Sequence, residues 1–127
     1  MQSIATAPLG RLTRRPEFLR VARGRRKAVA PGLVLQAAPS PPETQGPAPR
    51  IGYTASKKVG NAVARNRARR RLRAAVNDVI GTDASPGEAM DYVVIARAAT
   101  VERGYADLLD DLRSTLKRVH RGPGERR

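Results

Sequence analysis

Asp107, Asp110 and Asp111 stand at i, i+3 and i+4. That spacing puts three carboxylates on one side of a helix, where they could hold a divalent cation. They fall opposite a stripe of leucines, however, so the plainer reading is a solvated acidic face. His120, the single histidine, closes the last predicted helix beside a polar tail. A solvated imidazole near the negative end of a helix dipole explains it better than catalysis does. Cysteine is absent, which excludes disulfides, thiolate metal sites and a cysteine nucleophile and fits a reducing compartment. The first 77 residues contain only Glu17 and Glu43 as acids, too few for a two-metal nuclease centre. SKKVGN (56–61) resembles a phosphate loop only loosely. No catalytic residue and no metal ligands are assigned.

The chemistry the sequence does carry is anion recognition. Residues 57–76, KKVGNAVARNRARRRLRAAV, hold eight Lys or Arg and no carboxylate. An ordinary solvated helix alternates acid and base at i, i+4 and gains a few tenths of a kcal/mol per pair. Here no acid occurs between Glu43 and Asp78, so neighbouring cations repel unless a polyanion lies against them. Arginine suits phosphate, since its planar fork meets two oxygens at once. The formal net charge of +14 is lopsided: residues 1–77 hold 17 basic and 2 acidic residues, residues 78–127 hold 8 and 9. The polyanion surface is therefore expected from the first 77 residues.

At 127 residues the chain is expected to form one small α+β domain. Residues 1–13 show no periodicity and are expected to be a flexible segment. The domain is placed at 14–120 and a flexible tail at 121–127. RRPEFLRVARG (14–24) predicts a short helix, with Pro16 and Glu17 in its first turn and Gly24 at its exit. Leu33–Ala38 predicts a strand, with a weaker one near Lys27–Val29. Residues 39–49 form a Pro-rich loop, and Arg50–Ser56 alternates as a second main strand. The basic helix should start at Asn61, a good N-cap. Ala64, Ala68, Leu72, Ala75, Val76 and Val79 share its apolar face. Asn66, Arg67, Arg70, Arg71 and Arg73 take the opposite arc, and Arg65 and Arg69 sit near the apolar face. Gly81–Asp91 predicts a loop and Tyr92–Arg97 a strand covered on both faces. The last helix, about Gly104–His120, carries Tyr105, Leu108, Leu109, Leu112, Leu116 and Val119 on one stripe. No stretch has the length and apolarity of a membrane span or signal peptide.

RIGYTASKKVGNAVARNRARRRLRAA (50–75) resembles the signature region of the protein-subunit family of bacterial ribonuclease P. Arg65, Asn66 and Arg67 stand where that family has its Arg-Asn-Arg triplet. The likeness extends to EFLRVARG before it and to DYVVIARAA and the last helix after it, about residues 14–120. It implies a two-layer α/β sandwich in the order αβββαβα. Such a sandwich is similar to a ribosomal S5 second domain, with a left-handed βαβ crossover. It implies the non-catalytic protein subunit of an endoribonuclease whose RNA removes the 5′ leader from precursor tRNA with Mg²⁺, the ion held mainly by RNA.

Carried onto this sequence, the resemblance implies that Lys57, Lys58, Asn61, Arg65, Asn66, Arg67, Arg69, Arg70, Arg71 and Arg73 face the catalytic RNA. Phe18, Val34 and Gln36 would line a cleft for the leader. The partners implied are the catalytic RNA subunit and precursor tRNA, with a protein monomer in a 1:1 cytoplasmic ribonucleoprotein, no obligate protein partner and no membrane. Two positions depart from the family's habit. Ala22 and Gln36 stand where aromatics are frequent, which thins any stacking platform. The residues leave Phe18 balanced between cleft and core and favour core packing for Tyr53. A ribosomal or other structural RNA-binding protein of the same fold is the alternative reading.

Overall fold

The structure, a computed structural model, describes residues 9–24, 26–44, 49–81 and 90–121, the side chain of Arg121 excepted. Five strands lie in one sheet: β1 (Gly10–Arg11), β2 (Arg26–Val29), β3 (Leu33–Pro39), β4 (Arg50–Thr54) and β5 (Met90–Ala96). Their order across the sheet is β1-β4-β5-β3-β2. β1, β4 and β5 run parallel, while β3 is antiparallel to both β5 and β2. Three helices accompany them: α1 (Arg15–Arg23), α2 (Ala62–Val79) and α3 (Tyr105–Arg121). After β1 the main elements follow αβββαβα, and α2 joins the parallel neighbours β4 and β5.

The period-2 geometry of a strand sends alternate side chains to opposite faces, and each strand divides accordingly. Leu33, Leu35 and Ala37 of β3, Met90, Tyr92, Val94 and Ala96 of β5 and Ile51 of β4 join the main core. There they meet Ala68, Leu72, Ala75 and Val76 of α2 and Leu108, Leu112 and Val119 of α3. Ala38 and Val93 face the other way, toward Leu12 and Val21, with Phe18 and Ile95 packed beside them. β5 is thus covered on both faces, which its unbroken apolar run required.

Several expectations need correction. Residues 1–8 lie outside the described residues, but the rest of the segment expected to be flexible is ordered. Gly10 and Arg11 pair with Arg50 and Ile51, and Leu12 is buried under α1. A two-residue strand has no periodicity to detect, and its partner is some 40 positions away. β5 begins at Met90, inside the expected loop; residues 82–89 lie outside the described residues. Asp91 enters a buried strand because Arg50, Arg20 and Ser40 satisfy its carboxylate. Within the Pro-rich stretch, Pro42–Thr44 form a 3-10 turn, and residues 45–48 lie outside the described residues, as do 122–127.

The acidic trio also divides. Asp107 and Asp110 are exposed, whereas Asp111 is buried. Its carboxylate accepts from the Gly32 N–H at 2.9 Å and from Arg103 at 2.6 Å and 3.1 Å. The expected solvated face thus holds one carboxylate that fastens α3 to the β2–β3 turn. His120 is exposed, yet its Nε2 lies 2.5 Å from the Tyr92 hydroxyl.

Candidate nucleic-acid interface

Two surfaces gather the residues singled out from sequence, and the first is α2 with the turn before it. Lys57–Val59 form a 3-10 turn capped by Ser56, whose Oγ accepts from the Lys58 N–H. The chain then reverses at Gly60, with φ +145°, where a Cβ would stand 2.9 Å from that of Ala64. Glycine is required there, because L side chains rarely adopt that conformation. Asn61 opens the helix, its Oδ1 accepting from the Ala64 N–H at 2.9 Å. The turn therefore presents both lysines to solvent at the positive end of the α2 dipole, which itself favours anions.

The α2 arginines differ in what they already hold. Arg67, Arg70 and Arg73 are exposed, as are Asn66, Lys57 and Lys58. Arg65 is half-buried and reaches back to the Gly60 carbonyl at 3.3 Å. Arg69, also half-buried, donates to Asn66 Oδ1 at 2.8 Å. Arg71, expected with the outward set, turns instead to the Ala98–Val101 turn, donating to the carbonyls of Thr100 at 2.7 Å and Val101 at 3.2 Å. Its i+3 relation to Ala68 and i−1 relation to Leu72 place it at the edge of the buried stripe. Among the described residues, no ion pair involves Lys57, Lys58 or any arginine of α2. The repulsion legible in the sequence is therefore not relieved by an ion pair among the described residues.

The second surface is the sheet face that carries α1. Strand register sets its side chains in rows. Ala38, Asp91 and Arg50 form one row, Lys27, Gln36, Val93 and Gly52 the next, and Val29, Val34, Ile95 and Thr54 the third. α1 sits over the first row through charge. The Arg50 guanidinium donates to Asp91 at 2.9 Å and 2.7 Å and to Glu17 at 3.1 Å, and Arg20 pairs with Asp91 from the helix. Burial opposes ionisation of Asp91. Hydrogen bonds from Arg50 and Ser40 and the charges of Arg50 and Arg20 outweigh it, holding the carboxyl below its usual range.

Phe18 projects from α1 onto the second row. A Cβ at Gly52 would lie 2.6 Å from two of its ring carbons, so the ring lies flush with the sheet only because that position is glycine. The third row is uncovered enough that Val34, Ile95 and Thr54 remain half-exposed and Val29 is 46% exposed. Phe18 of α1 thus lies over the same sheet face that carries Val34 and Gln36, a face built across β2, β3, β5 and β4. Lys27 stands at one end of the Gln36 row, and the Lys57–Val59 turn begins three residues after Thr54.

Tyr53 faces the main core, as favoured from sequence, and the Arg73 guanidinium lies over its ring, 5.1 Å from the centroid. Burial pushes its hydroxyl up to about 12, with Arg73 and Arg11 pulling the other way, so it is a neutral donor at physiological pH. Sequence reasoning did not place Lys27, Val29, Ile95 and Thr54 in the same rows as Val34 and Gln36. Their parity within each strand was visible, but the cross-strand register that aligns them with Val34 and Gln36 was not.

The family model for Ribonuclease P matches residues 8–120. The ribonuclease P protein component of Paramagnetospirillum magneticum is 59% identical over 114 residues, covering 89% of this chain and 84% of that protein. That of Gluconacetobacter diazotrophicus is 51% identical over 109 residues, covering 86% and 90%. Among solved structures, the RNase P protein of Staphylococcus aureus superposes with a TM-score of 0.68 at 25% identity, covering 87% of this chain and 94% of that one. The Thermotoga maritima RNase P protein shares the fold at a TM-score of 0.67 and 24% identity, covering 85% and 96%.

Proposed function

Because the chain belongs to the ribonuclease P protein family, we propose that α2 and the Lys57–Val59 turn seat it on the catalytic RNA subunit, while the groove beside α1 holds the 5′ leader of precursor tRNA. The observation that carries this reading is the unrelieved row of cations. Lys57, Lys58, Arg67, Arg70 and Arg73 are exposed, and none has a carboxylate partner among the described residues. A phosphodiester backbone supplies the missing charge and releases its counterions on binding. Asn61 and Gly60 fix the angle at which the helix starts, so the turn's lysines and the helix's arginines present one continuous surface.

The groove suits a single strand. Its floor mixes apolar Val34 and Ile95 with the amide of Gln36 and the hydroxyl of Thr54, and the Phe18 ring edges it. One base stacked on an aromatic is worth roughly 1–3 kcal/mol, and stacking tolerates any base. The protein's contribution is positional: it holds leader and ribozyme together, so that fewer degrees of freedom remain to be fixed at cleavage. Mg²⁺ belongs to this proposal as an ion held by RNA phosphates. The described residues bring together no group of three His, Asp or Glu side chains, and Asp111 is already committed to Arg103 and Gly32.

The assembly proposed is one protein per RNA, in the cytoplasm. No helix among the described residues is long and apolar enough to cross a membrane. Reconstitution tests the reading. Protein plus its RNA subunit should cleave precursor tRNA at low Mg²⁺, where RNA alone is slow and protein alone is inactive. Efficient cleavage by the isolated protein in EDTA would refute it.

A further inference from the structure

Beside the β1 edge of the sheet lies a cavity of about 170 Å³ lined by Leu9, Gly10, Arg11, Ile51, Tyr53, Arg73 and Asn77. It is separate from the α1 groove, since Ile51 and Tyr53 point to the opposite sheet face from Gly52. Its lining is divided by chemistry: Leu9, Ile51 and the Tyr53 ring are apolar, while Arg11, Arg73 and Asn77 are exposed and polar. Its position is also informative. Asn66, Arg70, Arg73 and Asn77 recur at i, i+4, i+7 and i+11, one stripe along α2. The cavity therefore lies at the C-terminal end of the track that begins with the exposed arginines.

We propose that this cavity receives one unpaired nucleobase of the RNA bound along α2, with the adjoining phosphate held by Arg11 and Arg73 and the base edge met by the Asn77 amide. The inference rests on the reading of α2 as an RNA surface. An apolar hollow ringed by two guanidinium groups is complementary to a planar ring joined to an anion. Inorganic phosphate alone would leave the apolar surface unused, and a purely apolar ligand would leave the guanidinium groups unused. The volume suits one ring system, being well below the roughly 300–1,000 Å³ of sites for drug-sized ligands and cofactors. A paired base cannot enter, because stacking and pairing bury it, whereas loops and bulges splay bases out. Arg73, already over the Tyr53 ring, can stack on a base by its free face while its charge meets phosphate.

The test uses the full chain bound to the RNA subunit, with the unpaired nucleotides of the RNA probed chemically one by one. Wild-type protein should protect one unpaired nucleotide at this site. Tyr53→Leu, Asn77→Ala and Arg11→Ala should each restore its reactivity, leaving the protections opposite Arg67 and Arg70 in place. Tyr53→Leu removes the ring that seats the Arg73 guanidinium and should weaken RNA binding several-fold. Since the chain has no cysteine, Asn77→Cys gives a unique thiol for a short photo-crosslinker, which should mark the same nucleotide. Arg11 and Asn77 are surface residues, so their variants keep the test valid if Tyr53→Leu unfolds. Identical protection patterns in all variants, or crosslinks scattered over paired RNA, would overturn the proposal alone. Absence of any protection by the wild type would overturn the α2 reading together with it.

Discussion

Removing the exposed cations of α2 and of the turn before it one at a time gives a quantitative check on whether phosphate sits against them. Lys57, Lys58, Arg67, Arg70 and Arg73 are exposed and carry no ion pair among the described residues. If each neutralises one phosphate, the slope of log K against log salt is about −4.5, at about −0.9 per contact by analogy with duplex DNA. Affinity for the RNA subunit then falls about 500-fold between 50 and 200 mM salt. Arg67→Ala or Arg70→Ala should each shift the slope by about 0.9, and the pair by about 1.8. Arg71→Ala is the internal control. Its guanidinium is spent on the Thr100 and Val101 carbonyls, so its loss should cost about 1.5 kcal/mol of stability and change the slope less. Fluorescence anisotropy of labelled RNA over a salt series reads the slopes, and thermal melts read the stability. If the Arg67 and Arg70 variants keep the wild-type slope, these arginines do not meet phosphate. If Arg71→Ala instead gives the largest slope change, the division between outward and inward arginines is wrong.

Gly60→Ala should cost about 1–3 kcal/mol, measured as a lowered urea midpoint, because alanine is strained at φ +145° and its Cβ meets Ala64. Gly52→Ala drives a Cβ into the Phe18 ring; it should weaken binding of leader-bearing precursor tRNA several-fold while leaving affinity for the RNA subunit unchanged. Asp91→Asn should destabilise near the lower end of roughly 3–5 kcal/mol at pH 7, since it strips Arg20 of its carboxylate and leaves Arg50 with Glu17 alone, while both keep some access to water. The same variant tests the pH dependence. A carboxyl held below its usual range when folded stabilises fully above the unfolded value near 3.9. That stability is lost as pH falls through the lowered folded value. The acid limb of wild-type stability should therefore be steeper than that of Asp91→Asn, and equal limbs would refute the assignment.

The helices and main strands were legible because their signals are local. The 3.6-residue stripe of α3, the N-cap at Asn61 and the alternation of Arg50–Ser56 each depend on neighbours within a turn or two. The charge surface was legible for the same reason, since eight cations in twenty positions need no tertiary knowledge. What escaped depends on residues far apart in sequence. β1 exists only through β4, and Asp91 could be a buried strand residue only because Arg50, 41 positions earlier, faces it. Asp111 reads as solvated from its neighbours because its partners, Gly32 and Arg103, come together only after the sheet and α3 have packed. Arg71 deviated because the helical wheel gives direction but not reach, and a long side chain at the rim of the apolar stripe found carbonyls on the neighbouring turn.

α1 follows a strand at one margin of the sheet and precedes a strand at the other, so the chain crosses the whole sheet face in a single pass. Nine helical residues span about 13 Å, and the two margins stand about 19 Å apart at four strand spacings. Only residues 12–14 separate β1 from the helix. Anchored on both banks, the helix can tilt but cannot swing away like a lid. The open sheet face beside it is consequently ready-made, and for the proposed leader the entropy lost on binding falls on the incoming polymer rather than on the protein.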